Sequence, residues 1–183
     1  MPRYWRQELD CVLIERELIQ KRVAQIARKV QRDYAGRELV IVALLNGTVM
    51  FLADLIRHLE LPLRLDFIGV SSYGQGTASG ELHFTKELKL DVRGRHVLLV
   101  DDILDTGKTL RRVTEKLKMM APRSLKSCVL LDKKARRVER IEAHYVGFEI
   151  PDFFVVGYGM DFAERYRNLP FVGVLKEKIY LER

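Results

Sequence analysis

The chain has 183 residues, of which 48% are hydrophobic and 31% charged, and its net charge is +7. This composition is typical of one folded domain with a sizeable core and argues against a disordered chain. No apolar run reaches the roughly 20 residues that a membrane span requires, and the charged N-terminal residues lack the apolar core of a signal peptide, so a cytoplasmic protein is expected. The positive charge suits an anionic partner, either a polyphosphate metabolite or nucleic acid.

The basic clusters and the cysteines do not indicate a further site. The clusters at Arg111-Arg112 and at residues 133–137 lack the interleaved aromatic side chains and the recognition-helix pattern of nucleic-acid binders, so solvated surface is their default interpretation. Cys11 and Cys128 lie in apolar contexts without metal-ligand spacing, and we expect them to be buried free thiols. The sequence therefore argues against nucleic-acid binding, a disulfide and a cysteine metal site.

Hydrophobic periodicity divides the first half of the chain into alternating helices and strands. In chain order the predicted elements are a helix at 15–34, a strand at 39–45, a tight turn at Asn46-Gly47, a helix at 48–59, a strand at 63–70 and a loop at 71–80. Gly36 is expected to end the first helix, and a short antiparallel strand pair could flank the loop. Three glycines among the ten loop residues predict a mobile segment.

The second half continues the alternation and then becomes irregular. The predicted elements are a central strand at 96–101, a helix at 107–120, a strand at 127–131, short strands at 153–158, 171–175 and 178–180, and a turn or short helix at 161–168. Strands that alternate with helices predict an α/β fold with a mostly parallel sheet. Ligands of such sheets bind beyond the carboxyl ends of the strands, where Asn46-Gly47, the aspartates that follow residue 100 and Lys133 all fall.

Residues 97–109 combine a buried strand, three carboxylates and a turn of the size that holds a phosphate. Val97 to Val100 form an apolar run, and Thr106-Gly107-Lys108-Thr109 then opens a helix. Free backbone N–H groups and the positive end of the helix dipole converge at such a start, and Gly107 allows the backbone to approach an anion closely. The pattern predicts a phosphate site at the start of this helix.

The carboxylates of Asp101, Asp102 and Asp105 would repel that phosphate unless they bind a metal, grip sugar hydroxyls or exchange protons. A nucleotide sugar offers all three tasks. The nucleoside-triphosphate P-loop does not fit, because its first glycine would have to stand at Asp102. An acidic strand end that caps the next helix would explain one aspartate, but not three of them beside Thr106–Thr109.

This run closely resembles the phosphoribosyl-pyrophosphate motif of type I phosphoribosyltransferases, in the form that is typical of the hypoxanthine-guanine branch. The resemblance extends from about Leu39 to Leu175. The matching segments occur in the family's order, at 44–47, 71–74, 97–109, 131–134, 146–152 and 154–158, followed by Asp161 and Arg167. Each piece is weak alone, but their ordered co-occurrence is highly specific.

The resemblance implies a type I phosphoribosyltransferase-like fold, with a central, mostly parallel sheet flanked by helices, a small hood and a flexible lid loop. Residues 1–183 would form a single domain. Its core would be about 37–150 with the N-terminal helix, and its hood mainly 151–183 plus N-terminal residues. The implied activity is purine salvage, in which hypoxanthine and/or guanine reacts with phosphoribosyl pyrophosphate to give IMP or GMP and pyrophosphate. Mg²⁺ is the implied cofactor, and a homodimer or homotetramer the implied assembly.

The resemblance also assigns roles to individual residues. Asp105 would transfer the proton during catalysis, and Asp101 and Asp102 would hold ribose hydroxyls and Mg²⁺, with Asp161 at a second Mg²⁺. The other implied substrate-binding residues are Asn46 and Gly47 in the pyrophosphate loop, Ser72 and Tyr73 in the lid, Thr106, Gly107, Lys108 and Thr109 around the 5′-phosphate, Lys133, Phe154 and Val155 around the purine, and Arg167 at pyrophosphate.

One position departs from the family pattern. Many members carry lysine before the glycine of the pyrophosphate loop, whereas this chain has Asn46 before Gly47, which keeps hydrogen bonding and loses a charge. A non-proline cis peptide is frequent at this loop in the family. Two alternative functions also remain at this stage. One is a phosphoribosyltransferase for another base such as xanthine, and the other is a nucleotide-sensing regulator that binds nucleic acid.

Overall fold

The computed structural model describes residues 3–72 and 82–181. The strands are β1 (Leu9–Ile14), β2 (Leu39–Leu45), β3 (Leu63–Ser72), β4 (Leu82–Lys86), β5 (His96–Leu104), β6 (Ser124–Asp132), β7 (Tyr145–Glu149), β8 (Val155–Val156) and β9 (Val172–Leu175). The helices are α1 (Arg16–Asp33), α2 (Val49–Arg57), α3 (Lys108–Met119) and α4 (Glu177–Leu181), with short 3-10 turns at Arg3–Gln7 and Lys134–Arg136.

Six strands form the main sheet in the order β4-β3-β2-β5-β6-β7. Strands β3, β2, β5, β6 and β7 run parallel to one another. Strand β4 pairs antiparallel with β3 at one edge. A second, three-stranded antiparallel sheet has the order β1-β9-β8, so an N-terminal strand completes the C-terminal part of the chain. Because β2 and β5 are neighbours at the centre of the main sheet, the loops at their carboxyl ends meet.

Helices cover both faces of the main sheet because its strands are apolar on both sides. Along β2, Leu39, Ile41 and Ala43 pack with α1 and α2, whereas the residues between them pack with α3 on the opposite face. Successive side chains of a strand point to opposite faces, so one continuous apolar run serves two hydrophobic clusters. A third cluster belongs to the small sheet and includes Leu9, Tyr166 and Phe171.

Most of the predicted helices and strands are confirmed, within a few residues at their ends, and three details differ. The predicted strand at 178–180 is wrong, because these residues lie in α4, where Ile179 and Tyr180 pack on the third cluster. The prediction failed because a short apolar run fits a strand and a helical turn equally well. Strands β1 and β7 were not predicted. Cys128 is buried as expected, but Cys11 is exposed because β1 is an irregular edge strand.

Among the described residues, no helix is both long enough and apolar enough to cross a membrane. The predicted mobile loop at 71–80 falls almost entirely on 73–81, which lie outside the described residues.

Candidate active site

A cavity of about 240 Å³ opens at the carboxyl ends of β2 and β5. Its walls come from the end of β2, the end of β5 and the turn into α3. Seven residues predicted from the sequence line it: Gly47, Asp101, Asp102, Asp105, Thr106, Gly107 and Thr109. Six apolar residues also line it, among them Leu44, Val70 and Leu110. The predicted phosphate turn and the predicted acidic pair therefore face one space.

The loop after β2 lies directly against the acidic pair. The Leu45–Asn46 peptide bond is cis, and the Asn46 side chain is exposed. A Cβ atom on Gly47 would stand 1.9 Å from Oδ2 of Asp102, so this position has room only for glycine. Gly159 approaches from the hood, because a Cβ atom there would stand 1.9 Å from the carbonyl oxygen of Gly47. Three segments thus meet at this loop.

Asp101 and Asp102 lie within β5, which continues to Leu104, rather than in a loop after the strand. Asp101 is only 8% exposed, and its Oδ1 accepts hydrogen bonds from the Thr48 hydroxyl at 3.3 Å and the Asp102 backbone N–H at 3.0 Å. Burial raises the pKa of the Asp101 carboxyl well above its usual value, and the neighbouring Asp102 charge raises it further. Burial also raises the pKa of Asp102.

The turn into α3 has the geometry of an anion site. Gly107 precedes the helix with a φ of +87°, in the left-handed region that glycine adopts without strain. A Cβ atom on Gly107 would meet Ile141, Arg137 and Glu139 at 2.9 to 3.1 Å, so the segment 137–141 packs behind the turn. The Lys108 side chain is exposed and does not line the cavity. The backbone of the turn, more than the lysine, is placed to meet a phosphate.

Asp105 is coupled to Lys133 beside this turn. The Lys133 ammonium lies 3.2 Å from Oδ2 of Asp105 and 3.3 Å from Oδ1 of Asp152, and it donates to the Phe153 carbonyl at 3.4 Å. Lys133 is 5% exposed, which is rare for a lysine and depends here on these acceptors. Oδ1 of Asp105 is buried and has no hydrogen-bond partner among the described residues. One oxygen of this carboxylate therefore makes no hydrogen bond with the described residues.

The hood contributes Arg167 and Asp161. Arg167 donates to the Gly159 carbonyl at 3.0 Å and pairs with Asp161 and Glu164, each at 2.9 Å. Its positive charge lowers the pKa of Asp102 against the larger effect of burial. The guanidinium is therefore close enough to act on Asp102 electrostatically.

Phe154 and Val155 lie at the start of β8. The Phe154 ring stacks on Tyr180 of α4, with 4.6 Å between centroids, and meets Phe162 edge-on at 5.5 Å. Val155 is buried and pairs with Val174 in the small sheet. Neither residue lines the cavity of the acidic pair. The side chain of Ser72, at the end of β3, and the whole of Tyr73 lie outside the described residues.

The donor set of the acidic pair suits a hard divalent cation. Carboxylate oxygens are the ligands that Mg²⁺ prefers, and none of the ion pairs among the described residues includes Asp101 or Asp102. No group of three or more His, Cys, Asp or Glu side chains among those residues could hold a metal without further ligands. Mg²⁺ at this site would need oxygens from a substrate as well, which is its usual mode of binding.

Three residues of the site were not predicted from the sequence, and for a fourth, Thr48, only a backbone contact was predicted and not the side-chain bond. Thr48 donates a hydrogen bond to Asp101, Asp152 forms an ion pair with Lys133, and Gly159 packs on Gly47. Arg137, which the sequence assigned to a solvated cluster, bonds the backbone beside Asp105. Asp152 stands in a segment that carries the family resemblance and Arg137 follows another by three residues, but a single sequence does not show which of these side chains turn inward.

Comparisons with known proteins show the family of this chain. Residues 13–163 match the model of the phosphoribosyl transferase domain family. The hypoxanthine-guanine phosphoribosyltransferase of Bacillus subtilis is 44% identical over 176 residues, which cover 96% of this chain and 98% of that protein. The bifunctional protein TilS/HprT of Listeria innocua is also 44% identical, but this chain spans only 27% of its length.

Solved structures give the same result. A hypoxanthine phosphoribosyltransferase of Staphylococcus aureus superposes with a TM-score of 0.93 at 44% identity, and the match covers 98% of each chain. The type I fold and the transferase class expected from the sequence are confirmed by these likenesses. With the family model covering well over half of its residues, the chain belongs to the phosphoribosyl transferase domain family.

Proposed function

We propose that this protein transfers the phosphoribosyl group of phosphoribosyl pyrophosphate to hypoxanthine or guanine and releases pyrophosphate, as a purine salvage enzyme. The observation that carries the proposal is the 3.2 Å pairing of Asp105 with the buried ammonium of Lys133 at the rim of the phosphate turn. This pairing sets a proton acceptor and a donor for a 6-oxo group side by side, within reach of a ribose phosphate held at Gly107.

The reaction forms a C–N bond at the anomeric carbon of ribose and breaks the C–O bond to pyrophosphate. The five-membered ring of the purine loses a proton as the base becomes the nucleophile, and the Asp105 carboxylate accepts that proton. Lys133 donates to the purine 6-oxygen, and the backbone of Val155 contacts the base edge. The exposed part of the Phe154 ring packs on the purine, while Tyr180 holds the ring from the other side.

The sugar end is held by β5 and the turn that follows it. Asp101 and Asp102 bind ribose hydroxyls, and Thr106, Gly107, Lys108 and Thr109 surround the 5′-phosphate, chiefly through backbone N–H groups. Asp101 and Asp102 would hold Mg²⁺, and Asp161 would hold a second ion. The metal would supply positive charge against the oxygens of the leaving pyrophosphate.

The pyrophosphate end is held by the loop after β2 and by the hood. Gly47 and Thr48 offer backbone donors, Asn46 offers an amide in place of the family's lysine, and Arg167 offers a planar fork that matches phosphate oxygens. Ser72 and Tyr73 belong to a lid that closes over the reacting atoms and excludes water, which protects the activated sugar from hydrolysis.

The decisive experiment is a Mg²⁺-dependent assay of pyrophosphate release with hypoxanthine, guanine, xanthine and adenine. We expect turnover with hypoxanthine, guanine or both, and none with adenine, whose 6-amino group cannot accept from the Lys133 ammonium. Turnover of xanthine above the other bases would transfer the assignment to that base. No release with any base would reject the proposal. Light scattering on the purified protein tests the proposed dimer or tetramer.

Two substitutions test the assigned roles. Asp105→Asn keeps the shape but removes the proton acceptor, so turnover should fall by roughly 10²-fold or more. Lys133→Met should raise the KM for hypoxanthine by roughly tenfold or more, because a buried charged hydrogen bond is lost. Lys134→Met is the matched control, because Lys134 is 59% exposed and pairs with the exposed Glu149. Equal kinetics for the Lys133 and Lys134 variants would remove Lys133 from the base site.

A further inference from the structure

Arg137 makes an unusually complete set of contacts just behind the phosphate turn. Its Nε donates to the Asp105 carbonyl at 2.8 Å, its Nη1 to the Ile141 carbonyl at 2.8 Å and its Nη2 to the Leu104 carbonyl at 3.0 Å. Nη2 also pairs with the carboxylate of Asp132 at the end of β6. The side chain is only 15% exposed. This arginine therefore ties the end of β5 to the end of β6.

The segment that follows Arg137 supports the same turn. The backbone N–H groups of Val138 and Glu139 donate to the Thr106 carbonyl at 3.0 and 3.1 Å. Arg137 Cδ would lie 3.0 Å from a Cβ atom on Gly107, so the arginine stem fills the space directly behind the glycine. The carbonyls of Leu104, Asp105 and Thr106 thus all accept from residues 137–139. The back of the turn is fully bonded, which leaves its front for a ligand.

Arg137 also polarises the backbone N–H groups of Asp105 and Thr106, two residues that line the cavity. The peptide bonds that join Leu104, Asp105 and Thr106 are trans, so the N–H groups of Asp105 and Thr106 point away from the carbonyls that Arg137 binds. A cation at a carbonyl oxygen polarises its peptide group and strengthens the N–H on the other side as a donor. Asp105 and Thr106 both line the cavity, whereas Arg137 does not.

We propose that Arg137 is a positioning residue that fixes and polarises the 5′-phosphate turn and sets the backbone of Asp105, without contacting substrate. The inference rests on the proposed function, because it takes the occupant of the turn to be the phosphate of phosphoribosyl pyrophosphate. Lysine cannot replace it, since one ammonium cannot reach acceptors on three segments in the way a planar guanidinium does. The neighbouring Arg136 is 54% exposed and lies 3.8 Å from Asp105, so it has no comparable role.

Arg137→Lys tests this inference, with Arg140→Lys as its control. Arg140 belongs to the same segment and makes no hydrogen bond or ion pair with the described residues. We expect Arg137→Lys to raise the KM for phosphoribosyl pyrophosphate by roughly tenfold or more and to leave the KM for hypoxanthine within about twofold, because only the sugar-phosphate end loses its geometry. A purely structural brace would lower the melting temperature without this split. That result, or an equal KM change in Arg140→Lys, would overturn the inference.

Asp132→Asn provides a second, milder perturbation that keeps Arg137 and its three carbonyl bonds. It should also raise the KM for phosphoribosyl pyrophosphate, by a smaller factor. An unchanged KM in a folded variant would count against the inference. Titration calorimetry with phosphoribosyl pyrophosphate, without purine, separates this inference from the proposed function. If the unmodified protein releases no pyrophosphate, the function fails. Weaker calorimetric binding by Arg137→Lys then still supports the positioning role, and equal binding rejects it.

Discussion

Asp66 connects the antiparallel edge of the main sheet to the segment after β4. Its Oδ1 accepts from the Phe67 backbone N–H at 2.7 Å and from the Lys86 ammonium at 3.1 Å. Its Oδ2 accepts from the backbone N–H groups of Lys89 and Leu90 at 2.6 and 2.9 Å. The residue is buried, so these four donors stand in place of water.

Burial alone would raise the pKa of Asp66, but the backbone N–H groups and the lysine overcome this effect and lower it from 3.8 to about 2. The folded-state pKa is below the unfolded value, so the stabilisation is complete above pH about 4 and is lost as the pH falls toward 2. A difference of nearly two pKa units corresponds to about 2 kcal/mol at pH 7, of which about 1 kcal/mol is lost between pH 7 and pH 3.

Asp66→Asn should therefore destabilise the protein at pH 7 by about 2 to 4 kcal/mol, since the amide also leaves a buried N–H without an acceptor. The assay is reversible urea unfolding of both proteins at several pH values from 7 to 3. The stability difference should shrink by about 1 kcal/mol over that range, because only the wild type loses this carboxylate. Asp91→Asn is the control, because Asp91 is exposed and accepts a local hydrogen bond from the Arg93 N–H. A stability difference that stays constant with pH would refute the reasoning.

The remaining predictions concern the active-site loop and the thiols. Gly47→Ala should lower kcat/KM for phosphoribosyl pyrophosphate by about 10²-fold, because the new Cβ would overlap Asp102 and displace a loop that must be placed within about 1 Å. Wild-type kinetics in this variant would show that the loop is free to move. Cys11 is exposed, whereas Cys128 is buried, and burial raises the pKa of the Cys128 thiol far above its usual value. A thiol reagent should therefore titrate one thiol in the native protein and both after denaturation, and rapid native labelling of Cys128 would contradict the packing of β6.

The helices and strands that could be predicted from the sequence are those whose own residues show a regular apolar pattern. Strand β2 is apolar at every position because α1 and α2 cover one face and α3 the other, and such a run has few alternatives in a chain of this composition. Strands β1 and β7 lack that signal. Strand β1 is an edge strand with bulges, so its burial does not alternate, and it exists because β9 offers a partner far away in sequence.

The same distinction applies to the residues of the site. Some are grouped along the sequence, and others are brought together only by the fold. The phosphate turn is recognisable because the strand, the aspartates, the glycine and the helix start are consecutive, and their chemistry follows from their order. Arg137 could not be found in that way. It lies four residues after Lys133 in a run of basic side chains, and its function comes from carbonyl groups that the fold brings within 3.0 Å. Every residue has a backbone carbonyl, so a sequence motif cannot show which carbonyl oxygen a side chain will bind. Where most partners of a basic residue are backbone carbonyls, charge patterning predicts an exposed side chain, and only the hydrogen bonds of the folded chain show that the residue supports the site.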